Sequence, residues 1–267
     1  MEVHNFSYGL LNPGLAYLMS FLGCFLGLQC TARARLLSGA PRARWLLLAA
    51  LSIGTAGIWV MHFIAMLGFT IPDQGIGYYV PVTIASMLIA VAVVSAGLLI
   101  VGFGGDGPGP LLLGGVIIGM GVSGMHYMGM WAMRMPDSIG YNLPLLAASV
   151  LIAIVAGTAA LWAALRLNGG LLASLAASLI MALAVSGMHY TGMAALRVRA
   201  AGPGGGMSAM GAGAGATSFL LPLILGISIL AFLVTAIVTL APTEAEMRED
   251  RALMERITRL SGDARGG

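Results

Sequence analysis

The chain has 267 residues, of which 59% are hydrophobic and 9% charged, and its mean hydropathy is +0.95. A soluble domain carries roughly 25% charged residues, so this composition excludes an ordinary soluble protein and predicts an all-α membrane protein. The net charge of +3 does not indicate nucleic-acid binding, because the charges follow membrane topology. All basic residues are arginine, which excludes a phosphate loop of the Walker type.

Seven apolar runs are long enough to cross a hydrocarbon core of roughly 30 Å. Short breaks rich in proline, glycine or charged residues separate them, as turns do. The start Met-Glu-Val-His-Asn carries no arginine or lysine, so the first helix is expected to be a retained span and not a cleaved signal peptide. The predicted helices cover residues 9–31, 45–70, 79–103, 111–135, 143–167, 171–197 and 219–241.

The arginines predict the orientation. With the N-terminus outside and the C-terminus in the cytoplasm, ten arginines lie on the cytoplasmic side and three on the outer side, which agrees with the positive-inside rule. The cytoplasmic group is Arg33, Arg35, Arg42, Arg44, Arg166, Arg248, Arg251, Arg256, Arg259 and Arg265. The outer group is Arg134, Arg197 and Arg199.

Three of the predicted helices contain one six-residue block: Met, His, an aromatic residue, any residue, a small residue and Met. The copies are residues 61–66, 125–130 and 188–193, so the histidines are 64 and then 63 residues apart. A repeat of this length covers two helices and returns the chain to the same side of the membrane. We therefore expect the first six helices to form three parallel two-helix repeats, related by an axis along the membrane normal.

The three histidines are expected at nearly one depth, roughly 22–27 Å from the inner surface and near the outer face. His and Met four residues apart share one helix face, and imidazole with thioether suits copper, especially Cu(I). A single such histidine or methionine is more often structural, but three copies at one depth favour a metal site. The predicted metal ligands are His62, His126, His189, Met61, Met66, Met125, Met130, Met188 and Met193.

Other patterns are weaker. The Gly115-x-x-x-Gly119 spacing is typical of close helix packing. Cys24 and Cys30 lie six residues apart on one predicted helix, too far along its axis for a disulfide. The outer loop contains Met207 and Met210 in a glycine-rich background, which fits a plain linker better than a metal-catching tether.

The predicted organisation has three parts. Residues 1–200 form a six-helix membrane domain, and residues 201–241 form a Gly/Met-rich outer loop with the seventh transmembrane helix. Residues 242–267 form a short charged tail. Its apolar residues predict one helical stripe, which could contact a cytoplasmic partner or lie on the membrane.

These residues resemble the MHYT family of bacterial integral membrane sensor domains, whose name matches residues 188–191. The resemblance covers roughly residues 4–200 and includes His4 before the first helix. Phe63 stands in place of the tyrosine of the first block, and Met128 in place of the threonine of the second. The resemblance implies a copper site near the outer face of the bacterial cytoplasmic membrane and sensing of oxygen, carbon monoxide or nitric oxide. Many relatives carry cyclic-dinucleotide or kinase domains after this unit; none follows in this sequence, so sensing would require a partner.

Three functions compete. The first is a copper-dependent sensor of a diatomic gas or of redox state, signalling through the C-terminal helix. The second is a copper-binding or copper-handling membrane protein without signalling. The third, a haem-b electron carrier, is disfavoured because all four histidines are expected on one side, whereas carriers across a membrane usually place histidine pairs at both. The chain is expected to be no enzyme and to contact the lipid bilayer, but not nucleic acid.

Overall fold

The computed structural model describes residues 7–72, 75–105, 107–135, 138–166, 170–199, 213–240 and 253. They fall into two units, one ending at Ala231 and the other beginning at Phe232. Seven long helices are present in the described residues, as the sequence predicts. They are α1 (Leu11–Arg35), α2 (Gly39–Leu67), α3 (Val80–Gly104), α4 (Pro108–Trp131), α5 (Leu143–Arg166), α6 (Gly170–Ala195) and α7 (Leu221–Leu240).

The all-α membrane class predicted from composition is confirmed. Helices α1 to α6 are each long and apolar enough to cross a membrane, while the corresponding apolar stretch around α7, Ser218–Val234, is shorter. Within the first unit, each of α1 to α6 packs against the next in chain order, and α6 packs against α1. The six helices therefore close into a ring in which α2, α4 and α6 alternate with α1, α3 and α5.

Helix α2 begins at Gly39 and not at residue 45. Pro41, Arg42 and Arg44 precede residue 45 and interrupt the apolar pattern, but proline is tolerated in the first turn of a helix, where its missing N–H would have no partner. Gly39 itself has a φ of 60°, a conformation that favours glycine. Further along α2, residues Ile53–Val60 are π-helical. Cys24 and Cys30 on α1 are free and buried.

Glycines set the distance between neighbouring helices. A Cβ atom on Gly119 of α4 would lie 2.5 Å from the backbone nitrogen of Ile154 on α5, and one on Gly115 would lie 2.8 Å from the Cα atom of Thr158. No side chain fits at such distances from backbone atoms. The close packing predicted from the Gly115–Gly119 spacing is thus confirmed.

Short strands join the ends of the helices that carry the histidine blocks. They are β1 (Gly77–Tyr78), β2 (Met133–Arg134), β3 (Ser138–Tyr141), β4 (Leu196–Arg199) and β5 (Ala214–Gly215). Strand β1 pairs antiparallel with β2 and β5, and β3 pairs antiparallel with β4. Residues 133–135 and 196–197, predicted as helix ends, therefore lie outside the helices. Residues 133–134 and 196–197 pair with a neighbouring strand instead.

Three backbone hydrogen bonds repeat the same connection around the ring. The N–H groups of Ser7, Tyr79 and Asn142 donate to the carbonyls of Gly68, Ala132 and Ala195, at 3.1, 2.8 and 2.7 Å respectively. Each acceptor lies six residues after the histidine of its block. The chain entering each odd-numbered helix is thus tied to the chain leaving the next even-numbered helix, and the predicted three-fold repetition is present in the backbone.

Candidate metal centre

The three block histidines lie at matching places in the ring. His62 is five residues before the end of α2, His126 five before the end of α4, and His189 six before the end of α6. Their side chains are 1%, 0% and 1% exposed. The parallel direction of the three helices brings all three side chains to one level, at the end of the bundle that carries the strands.

The Nδ1 atoms of the histidines converge at a single point. The distance is 3.0 Å from His62 to His189, 3.1 Å from His126 to His62 and 3.3 Å from His189 to His126. The ring planes are inclined to one another by 80° to 88°. The near-equal distances and angles make a three-bladed arrangement around the axis of the ring, which is the convergence that the sequence predicts.

The three contacts among the Nδ1 atoms cannot all be hydrogen bonds. A ring nitrogen either donates its proton or offers one lone pair in the ring plane, so at least one of the three pairs consists of two donors or two acceptors. Nδ1 atoms without a proton bring their lone pairs into one buried space, which is the arrangement that a bound cation needs.

Three converging imidazoles could hold a metal ion. A triangle with sides of 3.0, 3.1 and 3.3 Å has its centre about 1.8 Å from each vertex, and nitrogen–metal bonds for zinc are about 2.0–2.1 Å long. An outward movement of a few tenths of an ångström would accommodate such an ion. Neutral imidazole suits zinc, copper, iron and nickel, so the donor set fits a transition metal without selecting one.

The six block methionines are buried in the same helix turns. Met61, Met66, Met125, Met130, Met188 and Met193 are each at most 4% exposed. The converging group consists of the three histidine rings. The methionines are neighbours of these histidines in sequence, and their buried thioether side chains are apolar and polarizable. Of the other residues singled out in the sequence, His4, Met207 and Met210 lie outside the described residues, and so does the apolar stripe of the tail apart from Leu253.

Each histidine packs edge-on against the aromatic residue that follows it. Ring-centroid distances are 4.7 Å for His62–Phe63 and 4.9 Å for both His126–Tyr127 and His189–Tyr190. This contact is common to all three blocks and holds the imidazole orientation.

The hydroxyl partner of the aromatic residue differs between the first two blocks. The Tyr127 hydroxyl lies 2.6 Å from Ser149 Oγ. In the first block, where phenylalanine replaces tyrosine, Trp59 Nε1 donates to Ser86 Oγ at 3.1 Å, and Ser86 lies one repeat, 63 residues, before Ser149. The indole therefore takes the serine that the missing hydroxyl would have used.

A cavity of about 50 Å³ lies on the axis of the ring, and all six ring helices contribute to its apolar wall. Ile58, Val122 and Val185 line it, and each lies four residues before one of the three histidines. The cavity thus begins one helical turn, about 6 Å, from the histidine level, and Met188 also contacts it. The sequence did not reveal this cavity, because its wall residues are ordinary apolar side chains on a membrane helix.

The fold and the site define a class of protein: a multi-pass membrane protein whose three parallel repeats enclose a buried histidine trio. Residues 56–114 and 119–177 match the MHYT family, described as a bacterial signalling protein N-terminal repeat. The chain belongs to this family of bacterial membrane sensor domains. The third block lies beyond the matched residues, yet the Nδ1 atom of its His189 lies 3.0 Å from that of His62 and 3.3 Å from that of His126.

Several curated signalling proteins are similar to the chain over its membrane region. The bifunctional diguanylate cyclase/cyclic di-GMP phosphodiesterase MucR of Pseudomonas aeruginosa is 37% identical over 71% of this chain and 28% of its own length. The cyclic di-GMP phosphodiesterase NbdA of the same species is 39% identical over 73% of this chain and 25% of its own length. The signaling protein YkoW of Bacillus subtilis is 27% identical, again over 73% of this chain and 25% of its own length.

The matched region therefore covers about a quarter of the length of these relatives. The enzymatic activities in their names belong to the whole proteins. No solved structure matches the chain.

Proposed function

We propose that this chain is the membrane-embedded input part of a signalling system and that its histidine trio binds copper. The observation that carries the proposal is the convergence of His62, His126 and His189, with Nδ1 atoms 3.0–3.3 Å apart in a buried layer. Thioether donors from the buried block methionines would favour copper, and Cu(I) in particular. Hard cations such as magnesium and calcium prefer oxygen ligands.

The three histidines would hold the ion, and the block methionines would supply further soft donors or a soft lining. Bound Cu(I) would provide a redox-sensitive centre with affinity for diatomic ligands. The protein's own part is to exclude water from this layer and to keep three imidazoles directed at one point. Excess arginine at the opposite end of the bundle supports a placement of the trio near the outer face.

The axial cavity supports a small gas as the signal. Its wall is apolar, and such cavities stay free of water. Its volume of about 50 Å³ suits a molecule of two or three heavy atoms, whereas drug-sized ligands and cofactors need roughly 300–1,000 Å³. Oxygen, carbon monoxide or nitric oxide dissolved in the bilayer would fit this space, one helical turn from the histidines.

Signalling requires an output component, since we propose that the membrane region itself catalyses no reaction. The named relatives are signalling proteins in which the matched region is a small part. We propose that the C-terminal tail of this chain passes the state of the trio to a cytoplasmic partner.

Metal analysis tests the copper proposal. The purified protein, loaded with copper and washed in the presence of excess zinc, should retain about one copper ion per chain, and a His62→Ala/His126→Ala/His189→Ala variant should retain none. Met120, which is 53% exposed on α4, provides a matched control through Met120→Leu, which should bind like the parent. Full copper content in the triple variant would refute the histidine site, and retention of zinc in place of copper would refute the choice of metal.

A further inference from the structure

The glycines at the small position of the second and third blocks pack against a histidine of a different block. Gly129 and Gly192 stand three residues after the histidines of their own blocks. In the structure, each faces the histidine of the preceding block. A Cβ atom on Gly129 would lie 2.5 Å from Nε2 of His62, and one on Gly192 would collide with Nε2 of His126 and lie 3.0 Å from its Cδ2.

These imidazoles cannot retreat from an added methyl group. His62 and His126 are 1% and 0% exposed, their Nδ1 atoms are in contact with the other histidines, and each ring is flanked by an aromatic side chain at 4.7–4.9 Å. A methyl group beneath Nε2 would therefore push the whole ring, and Nδ1 with it, across the axis.

We infer that Gly129 and Gly192 are positioning residues. Each lacks a side chain, so the imidazole of the preceding block packs directly against its backbone, a contact that we call the seating of the ring. His62 rests on α4 and His126 rests on α6, so the blocks support one another in a fixed order around the ring. Repeat symmetry assigns Ala65, the small residue of the first block, to His189. Because the order is cyclic, a change in one block displaces the histidine of another helix.

The contacts with Gly129 and Gly192 also determine which imidazole nitrogen can bind a ligand. Nε2 of His62 and of His126 is buried and has no hydrogen-bond partner among the described residues. An Nε2 atom pressed against a glycine leaves no room for an ion, so the free coordination direction of both rings is Nδ1. This step rests on the proposed metal site, whereas the seating itself is a packing relation and holds for the metal-free protein.

Two pairs of matched variants test the seating. Gly129→Ala and Gly192→Ala should lower the Tm of the metal-free protein, measured with a chelator present, by about 5 °C, the scale expected for overpacking in a chain of this size. Gly124→Ala on α4 and Gly187→Ala on α6 are the controls, because a Cβ atom there would meet no described atom within 4 Å. The controls should keep or raise the Tm, since alanine is the better helix former.

Combining Gly129→Ala with histidine variants identifies the imidazole that packs against Gly129. The loss from Gly129→Ala should vanish in a His62→Ala background. It should be relieved only in part in His126→Ala and His189→Ala backgrounds, where the His62 ring gains room on one side but still meets the added methyl group. If Gly129→Ala alone does not fold, recovery of folding in the double variant with His62→Ala gives the same information. Equal losses in all three backgrounds, or a loss relieved more fully by His126→Ala or His189→Ala than by His62→Ala, would overturn the inference.

A second readout separates the seating from the metal proposal. Gly129→Ala should weaken copper binding at least tenfold, while Gly124→Ala should leave it unchanged. If the parent protein binds no copper but the Tm coupling between Gly129 and His62 is found, the seating stands and the metal proposal fails. If copper binds and the coupling is absent, the seating fails alone.

Discussion

Methionine and leucine have similar volumes, and this similarity allows the thioether role to be separated from packing. Met66, Met130 and Met193 are 1%, 0% and 4% exposed, and each stands four residues after its histidine. Replacing all three with leucine should cost less than about 1.5 kcal/mol of folding stability per site. It should weaken Cu(I) binding by at least tenfold while leaving the copper capacity of the histidine trio intact.

Competition titration against a Cu(I) chelator measures this difference, with Met120→Leu as the matched control. If the Met66→Leu/Met130→Leu/Met193→Leu variant binds Cu(I) as tightly as the parent, the block methionines are packing residues only. The preference for copper would then have to come from the histidines alone.

At the scale of single elements, the packing of α4 on α5 depends on glycines, which have no side chain and let the two backbones approach closely. Gly119→Ala would place a methyl group 2.5 Å from the backbone nitrogen of Ile154, and backbone atoms cannot move aside as a flexible side chain can. We expect a net loss of about 1–3 kcal/mol, although alanine favours the helix itself by up to about 1 kcal/mol. Denaturant or thermal unfolding measures the loss, and Gly124→Ala on the same helix should show only the gain. A Gly119→Ala variant as stable as Gly124→Ala would contradict the close approach.

The elements also show what a sequence can and cannot predict here. Spans of apolar residues and the 63- to 64-residue repeat sufficed for seven helices and for a common histidine level, because membrane thickness constrains both. They could not predict that β4 begins at Leu196, because α6 ends at the point where the chain pairs with β3. Likewise, the sequence shows that position 129 is small. It does not show that the imidazole packed against Gly129 is that of His62 on α2, because the packing of the helices decides this contact.

At the scale of the whole molecule, orientation in the membrane is a prediction from the arginines. Tyr8 is 64% exposed before α1, at the histidine end of the bundle, and Leu36 is 79% exposed after α1 at the opposite end. In intact cells, a membrane-impermeant maleimide should label a Tyr8→Cys variant and spare a Leu36→Cys variant. Cys24 and Cys30 are buried, so the parent protein serves as the unlabelled blank. Labelling of Leu36→Cys with protection of Tyr8→Cys would place the trio at the cytoplasmic face.

The axial cavity predicts how a gas would reach the histidine level. Ala156 on α5 lines the cavity, whereas Ala159 on the same helix is exposed towards the outside of the bundle. Ala156→Val should fill much of a space of about 50 Å³, and Ala159→Val should leave it open. In copper-loaded protein, we expect Ala156→Val to slow the association of carbon monoxide several-fold, with the copper content unchanged. Infrared spectroscopy after rapid mixing measures the rate for both variants. Equal rates in Ala156→Val, Ala159→Val and the parent would show that the gas does not pass through the cavity, because a route along the axis cannot be narrowed without slowing entry.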